Sequence, residues 1–460
     1  MKAEVGSRET ASGPLPLVGA GSPLAARPLV RIAKNFVSLG VASGLVASGV
    51  FILNVLVARS FGSAVFGQYR FALAFVALFH TLYHLGVGFL IIRDVARDKS
   101  LAARALGAGL ALSLTLGLIT LVLIGLVVTL GGYSPSTRLL ILILAIAQLP
   151  YTLTLLCQAI FRAFERMEIE TVLSFCSTVT LLLLVFMVFS RGGGLLMVGL
   201  AHLAGSVAGL LLALGLVRAF FTRLRLVWDL RYFRYLAISS IPFALNGIVV
   251  PVYFRIDIIL VSILKDETSV GLYSAAFVLT APLGFLADNA ANAIFPPLAA
   301  AFVSSERSYQ ALLTTVWRWS LPVLLCLGVV MTLLAKVMLG RVFGATYAEA
   351  APAVQVLVWG SILAYFNTLF FRALEASNRQ VYVTLILTAG ALANLLLGLV
   401  LITAFGIVGA ALAFLLTQAV ILLATRFGGV VLNDLVSLVK GQAGVGGNAA
   451  KDIPAIPGGK

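Results

Sequence analysis

Long apolar stretches recur from about residue 30 to residue 426, and they constrain the fold more than any other feature of the chain. A hydrocarbon core about 30 Å thick is crossed by about 20 helical residues, so these stretches are long enough for transmembrane helices. Hydrophobic residues make up 61% of the chain and charged residues 11%, whereas soluble domains contain about 45–50% and about 25%. The sequence therefore predicts an all-α integral membrane protein.

We predict about twelve transmembrane helices in two six-helix lobes around a central cavity. The predicted helices cover residues 35–58, 69–92, 105–130, 138–161, 170–189, 195–218, 234–264, 271–300, 311–336, 350–372, 380–403 and 407–426. The predicted divisions are a cytoplasmic tail at 1–30, a first lobe at 31–220, a basic cytoplasmic linker at 221–233, a second lobe at 234–426 and a cytoplasmic tail at 427–460. The loops are too short to form folded domains. This argues against a membrane glycosyltransferase or polymerase, which usually carries its chemistry on large loops or soluble domains.

Basic residues predict the orientation of the chain. The net charge is +15, but the basic residues lie between apolar stretches and form no continuous patch, so we expect no nucleic acid as a partner. With both termini inside the cell, cytoplasmic segments contain 24 of the 32 lysines and arginines, and external loops, among which we count Arg70, contain seven. Such a bias marks the cytoplasmic side. We therefore expect a multi-pass protein of the cytoplasmic (inner) membrane with cytoplasmic N- and C-termini.

Two pairs of segments indicate an internal duplication. Residues 57–69 align with residues 261–273 at an offset of 204 and share Val, Gly and Tyr. The sequence F-R-A-F-E at 161–165 is repeated as F-R-A-L-E at 371–375, at an offset of 210. Because six predicted helices separate the copies, both lobes have the same orientation, which is the parallel repeat of several transporter folds.

Charged and amide side chains inside the predicted spans are the candidate cavity residues. Arg255, Asp257 and Asp288 lie well inside spans, where a charge costs at least about 2.5 kcal/mol unless it faces a bundle interior or a wet cavity. Arg255 and Asp257 are two positions apart on one helix, so we do not expect them to pair. Asp288 adjoins Asn289 and shares a helix face with Asn292. The alternative for the two asparagines is hydrogen bonding between helices.

Two histidines one helical turn apart form a second candidate group. The spacing of His80 and His84 suits a metal ion, but no third ligand adjoins them, and we predict no metal site. The repeat offset of 204 maps His84 onto Asp288, so we expect these residues to face each other across the cavity. Buried carboxyl and imidazole groups can exchange protons near neutral pH. Asp257, Asp288 and His80 are therefore candidates for H⁺ or Na⁺ coupling, with no other cofactor expected; for His80, an ordinary hydrogen-bonded core histidine is an equal alternative.

Several short motifs resemble one family when they are taken in order. They are N-V-L-V-A-R-S-F-G at 54–62, F-G-Q-Y at 66–69, I-R-D-V-A at 92–96, R-I-D at 255–257 and V-G-L-Y at 270–273. This pattern is similar to that of the polysaccharide-biosynthesis (Wzx-like) flippases, which belong to the superfamily of the MATE exporters and the lipid II flippase MurJ. The resemblance covers roughly residues 30–426. MurJ has fourteen helices, so our twelve favour the Wzx-like branch.

The resemblance implies a transporter, not an enzyme, that moves a polyprenyl-diphosphate-linked oligosaccharide across the membrane by alternating access. Such families have a cationic cavity, which implies that Arg255 and Arg70 bind the diphosphate while His84, Asp288, Asn289 and Asn292 line the glycan site. Expected partners are this lipid-linked oligosaccharide, membrane lipids and a polysaccharide polymerase or glycosyltransferases. No Walker A motif is present in the sequence, so hydrolytic ATP use is unsupported. The alternative is a MATE-like, cation-coupled exporter of drugs or metabolites.

Overall fold

The computed structural model describes residues 23–221, 229–377 and 379–443, and every regular element in these ranges is helical. The eleven α-helices are α1 Pro23–Phe79, α2 Val87–Arg97, α3 Ala102–Leu130, α4 Pro135–Ala163, α5 Met167–Ser190, α6 Leu195–Phe220, α7 Leu230–Leu264, α8 Glu267–Ser304, α9 Glu306–Val342, α10 Ala351–Ala376 and α11 Gln380–Ala443. Short 3₁₀ helices cover His80–Tyr83, Lys99–Leu101 and Ala345–Ala350. The all-α prediction is confirmed.

Nine helices of the described residues are long and apolar enough to cross a membrane. Two of the long helices contain a kink at a glycine in the left-handed region, Gly62 at φ 78° in α1 and Gly406 at φ 59° in α11. Glycine adopts this conformation without the steric cost that a side chain adds. Each of these glycines interrupts the helical backbone and separates two helices, at the place of a predicted loop between two predicted spans. The count of twelve spans in two lobes stays a prediction.

Polar side chains fix where several helices begin. Ser134 accepts a hydrogen bond from the backbone N–H of Thr137, and Pro135 occupies the first turn of α4. Asp266 caps α8 in the same way, by accepting from the N–H of Ser269 at 2.7 Å. Caps of this kind satisfy N–H groups that lack a partner at a helix N-terminus. They mark the points at which the chain turns back into the bundle.

The predicted tails and linker differ from the helix boundaries in the structure. Residues 1–22, 222–228 and 444–460 lie outside the described residues. They include most of the predicted N-terminal tail, much of the predicted linker and the end of the predicted C-terminal tail. α1 already begins at Pro23, α7 at Leu230, and α11 continues to Ala443. The hydropathy pattern does not predict these extensions, because a helix can continue as a polar segment beyond the hydrocarbon core of the membrane.

Contacts join residues that the charge bias places on the same side of the membrane. We call the end that contains Gly62 and Gly406 the outer end, and the opposite end the inner end. At the outer end, Arg59 Nη2 donates to the carbonyl of Arg341 at 2.7 Å, and Tyr347 donates to the carbonyl of Ala58 at 3.1 Å. These bonds join α1–α6, the first half of the helices, to α7–α11, the second half.

Two glycines allow α1 and α8 to cross in direct backbone contact at the outer end. A Cβ on Gly67 would lie 1.8 Å from the carbonyl oxygen of Glu267, and a Cβ on Gly271 would lie 1.9 Å from that of Ser63. The contact is reciprocal, since each glycine faces the carbonyl four residues before the other. Gly67 and Gly271 are also equivalent in the 57–69/261–273 repeat. This glycine crossing brings the two halves together at the outer end, and the duplication of the lobes stays a prediction.

At the inner end, the start of α7 is bound to the first half. Asp229 caps α7 by accepting from the backbone N–H groups of Arg231 and Tyr232, at 3.0 and 3.1 Å. The same carboxylate forms a salt bridge with Arg104 of α3, whose guanidinium lies 5.2 Å from the ring centroid of Tyr232. Asp229 therefore holds the second half against the first.

We expect Asp229→Asn to lower the Tm of the purified protein at neutral pH. The backbone N–H of Tyr232, followed by Arg104, holds the pKa of the Asp229 carboxyl below its usual range. A carboxyl group whose pKa is lower in the folded than in the unfolded protein stabilises the fold at pH values above its unfolded pKa. This stabilisation is lost as the pH falls through the pKa of the folded state. The difference in Tm between wild type and variant should therefore shrink in acid. Asp98→Asn is the matched control, because Asp98 also caps a helix, by accepting from Ser100, but joins no second half. Equal shifts for both variants would contradict a bridging role of Asp229.

Candidate functional site

Arg70 lies inside the bundle, which corrects its predicted place in an external loop. It follows the Gly62 kink by eight residues, a distance of about 12 Å along the helix, and its side chain is 7% exposed. Its Nη1 donates to Oδ1 of Asn54 at 3.1 Å, and its buried Nε has no hydrogen-bond partner among the described residues. The span was predicted to begin only at residue 69, and Arg70 was counted with the loop, because arginine and its polar neighbours lower the local hydropathy, whereas the helix restarts directly after Gly62.

Arg255 and Asp257 lie near Arg70 on α7. Arg255 is half-buried and precedes the outer end of α7 by nine residues, or about 13 Å, so the two arginines lie at similar depth. The charges of Arg70, Arg255 and Asp257 interact electrostatically, with repulsion between the arginines and attraction to the carboxylate. The structure thus brings a cation from each half into one charged site. We call Arg70 and Arg255 the arginine pair.

Asp257 is held by neutral donors. Its carboxylate accepts hydrogen bonds from the hydroxyl of Tyr273 and from the backbone N–H of Ile258, the latter at 3.0 Å, and the residue is 4% exposed. The prediction that Arg255 and Asp257 do not pair directly agrees with this arrangement. One carboxylate faces two guanidinium groups, so the ionised site carries a net positive charge.

Carboxylates neutralise five other arginines of the described chain, and Arg162 and Arg372 are two of them. Arg162 binds Glu170 through two bonds of 2.6 and 2.9 Å, and Arg372 binds Glu375 at 2.6 Å. Among the described residues, neither member of the arginine pair forms a salt bridge. The arginine pair therefore has positive charge available for an anion, whereas a carboxylate offsets the charge of Arg162 and of Arg372.

The predicted second span is interrupted at the two histidines. After the 3₁₀ turn at His80–Tyr83 the chain bends through Leu85, with φ 46°, and Gly86, with φ 78°, before α2 begins. The N–H of Gly86 donates to Nδ1 of His84 at 2.8 Å, and Nε2 of His84 lies 3.3 Å from Nε2 of His80. Nδ1 of His80 in turn lies 2.5 Å from the amide of Gln148. The histidines thus form a hydrogen-bonded chain that supports the helix break.

A cavity of about 120 Å³ runs from this break between α2 and α4. Its polar lining consists of His84, Thr152, Gln158 and Arg162. The Thr152 hydroxyl is buried and has no partner among the described residues. His84 thus lines a cavity within the first half, and its predicted role in a central cavity stays a prediction.

The polar cluster on α8 lies in the second half. Asp288 and Asn292 are exposed; Asp288 interacts electrostatically with Arg372, and Asn292 Oδ1 accepts from Arg372 at 3.3 Å. Asn289 instead donates to the carbonyl of Phe285 in its own helix, at 2.7 Å. A charged and an amide side chain exposed on α8 are consistent with a wet hollow. His84 is bonded to His80, and no contact joins it to Asp288 in the described chain.

Sequence reasoning missed two residues of the charged site. Asn54 holds Arg70, and Tyr273 holds Asp257. Tyr273 and Asn54 both stand in segments with a recognisable pattern, the repeat and the N-V-L-V-A-R-S motif, but neither pattern indicates a hydrogen-bond partner. That information came only from the fold.

Solved structures with a similar arrangement of helices show the fold of this chain. The lipid II flippase MurJ in an inward closed conformation has a TM-score of 0.70 at 15% identity, over 84% of this chain and 86% of that chain. An inward-facing multidrug resistance MATE family transporter has a TM-score of 0.70 at 15% identity, over 90% of this chain and 98% of that chain. The chain is a multi-pass membrane protein with the fold of these transporters.

The family model for polysaccharide biosynthesis proteins matches residues 32–302, more than half of the chain, and the protein belongs to this family. The probable low-salt glycan biosynthesis flippase Agl15 of Haloferax volcanii is 27% identical over 173 residues, which are 36% of this chain and 36% of the relative. The uncharacterized membrane protein MJ1068 of Methanocaldococcus jannaschii is 34% identical over 111 residues, 23% of this chain and 22% of the relative. The chain thus matches about a third or less of each curated relative. The predicted resemblance to the polysaccharide-biosynthesis family is confirmed.

Proposed function

We propose that this protein is a flippase that moves a polyprenyl-diphosphate-linked oligosaccharide across the cytoplasmic membrane by alternating access. The observation that carries this proposal is the arginine pair, in which the two halves each contribute a cation at mid-membrane depth without a salt bridge among the described residues. Membership of the polysaccharide biosynthesis family supports a glycan precursor as cargo. The name of Agl15 supports the same class of cargo.

The chemistry of the arginine pair fits a diphosphate. Guanidinium groups remain charged in proteins and offer several donors in a fixed plane, which matches phosphate oxygens in a bidentate manner. Arg70 retains an unpartnered buried Nε–H, so an anion completes a bond that the protein leaves open. The polyprenyl tail stays in the bilayer. We place the glycan near His84 and the α8 cluster of Asp288, Asn289 and Asn292.

The driving force is an ion gradient or consumption of the product on the outer side. Asp257 lies in electrostatic range of the arginine pair, so an anion that binds there repels its carboxylate and favours H⁺ or Na⁺ uptake. Asp288 and His80 are the further coupling residues of the proposal. We place both termini in the cytoplasm, and a polymerase or glycosyltransferase acts on the same lipid-linked substrate. The protein itself is a transporter rather than an enzyme.

A MATE-like exporter is the second candidate, because the fold matches a MATE transporter as well as it matches MurJ. A drug or metabolite exporter requires no free cationic pair for phosphate. Drug resistance after expression in a pump-deficient host would favour this alternative.

Reconstitution tests the flippase directly. Vesicles containing the purified protein and a fluorescent polyprenyl-diphosphate oligosaccharide should expose more of the label to a membrane-impermeant quencher with time than protein-free vesicles do. A fluorescent phospholipid without a diphosphate is the matched control and should remain in its original leaflet. Equal exposure with and without protein, or equal movement of both lipids, would contradict the proposal.

A further inference from the structure

We propose that Asn54 is a positioning residue that aims Arg70 at the anion while leaving its positive charge unneutralised. This inference rests on the proposed function, because it concerns the same anion site. Asn54 touches Arg70 rather than the cargo, so it acts through the arginine.

The fold places Asn54 and Arg70 side by side. Asn54 precedes the Gly62 kink by eight residues and Arg70 follows it by eight, so the two parts of α1 bring both side chains to about the same depth. Asn54 is 3% exposed and Arg70 is 7% exposed. The bond between Asn54 Oδ1 and Arg70 Nη1, at 3.1 Å, is therefore formed inside the bundle.

A second hydrogen bond fixes which face of the amide meets the arginine. Asn54 Nδ2 donates to the carbonyl of Val50 at 2.7 Å. A flipped amide would lose this bond and would direct an NH₂ group, which is a donor, at a guanidinium, which is also a donor. The amide oxygen is thus held toward Arg70, and it restricts the rotation of that side chain.

The acceptor that holds Arg70 is neutral, and this distinguishes Arg70 from Arg162 and Arg372. Arg162 and Arg372 are held by the carboxylates of Glu170 and Glu375. A carboxylate at residue 54 would hold Arg70 equally well but would cancel its charge at short range in a low-dielectric site. An amide orients the guanidinium without competing with a phosphate for it.

The test compares three substitutions for binding of inorganic pyrophosphate to the purified full-length protein. Arg70→Ala should abolish binding. Asn54→Asp should weaken it at least about tenfold, and Asn54→Ala only about threefold, since alanine removes the orientation but keeps the charge. Asn54→Asp should retain a Tm at least equal to that of Asn54→Ala, because its carboxylate keeps the bond to Arg70.

If Asn54 only stabilised the fold, Asn54→Ala would weaken pyrophosphate binding more than Asn54→Asp does, because aspartate keeps the bond to Arg70 whereas alanine loses both bonds. Asn367→Asp controls for the general effect of a buried acid, because Asn367 is buried and donates to Gln418; its folded fraction should bind pyrophosphate like wild type. Wild-type affinity in Asn54→Asp, or a stronger defect in Asn54→Ala, would overturn the positioning role alone. Wild-type affinity in Arg70→Ala would overturn the proposed function as well.

Discussion

Alanine in place of Arg70 or Arg255 is expected to lower flipping of the lipid-linked oligosaccharide by about 100-fold or more. Each arginine offers the diphosphate charge-assisted hydrogen bonds worth about 1.5–3 kcal/mol, and loss of two such bonds corresponds to at least about two powers of ten. The protein should still reach the membrane at normal levels, since the two guanidinium groups repel each other. The measurement is the rate of leaflet exposure in vesicles together with the amount of protein inserted.

Matched variants separate the charge from its geometry. Arg→Lys at either position keeps the charge but loses the planar fork, so we expect intermediate rates. Arg191→Ala removes an exposed arginine at the end of α5 and should leave flipping unchanged. Normal flipping by Arg255→Ala would remove Arg255 from the mechanism. Normal flipping by both alanine variants would refute the anion site.

Alanine at Gly67 or Gly271 is expected to prevent closure of the outer end and to reduce transport at least about tenfold. The added Cβ would lie within 2 Å of a backbone carbonyl oxygen, and a rigid backbone cannot yield as a flexible side chain does, so α1 and α8 must separate. An alternating-access cycle that cannot close one end is interrupted. A cysteine introduced beside the crossing, with Cys157, Cys176 and Cys326 replaced, should react faster with a membrane-impermeant thiol reagent in the alanine variants.

Gly125 and Gly215 provide the controls for this substitution. Both are helical, and a Cβ on either would meet no atom within 4 Å. Alanine there should preserve transport and raise helix stability by up to about 1 kcal/mol. If the Gly67→Ala and Gly271→Ala variants showed the same thiol reactivity at the outer end and the same transport rate as these controls, the glycine crossing would have no part in gating.

The positions of the helices could be predicted from the sequence because hydropathy shows where an apolar segment is long enough to be buried in the membrane. The breaks at Gly62 and Gly406 fall within two of the predicted loops, because a break between two spans also lowers the local hydropathy. The internal repeat stays a prediction; at the two glycines that it aligns, Gly67 and Gly271, the structure has a contact that leaves no room for a side chain.

The candidate site was predicted only in part. Arg255 and Asp257 stood out because charge is rare in apolar stretches. Arg70 was counted with the external loops because its polar neighbours lower the local hydropathy, and its hydrogen bond to Asn54 depends on a contact across the kink. The chain from Gly86 through His84 and His80 to Gln148 was equally hidden, because it requires a broken helix. The roles of His80, His84, Asp257, Asp288, Asn289 and Asn292 stay predictions.

The reciprocal contact of Gly67 and Gly271 also describes a surface that is complementary to itself. In an isologous interface, one patch meets an identical patch through a two-fold axis, and here each glycine meets the carbonyl four positions before its counterpart. A polypeptide with only one copy of this segment would thus have the geometry to associate with a second molecule of its own kind.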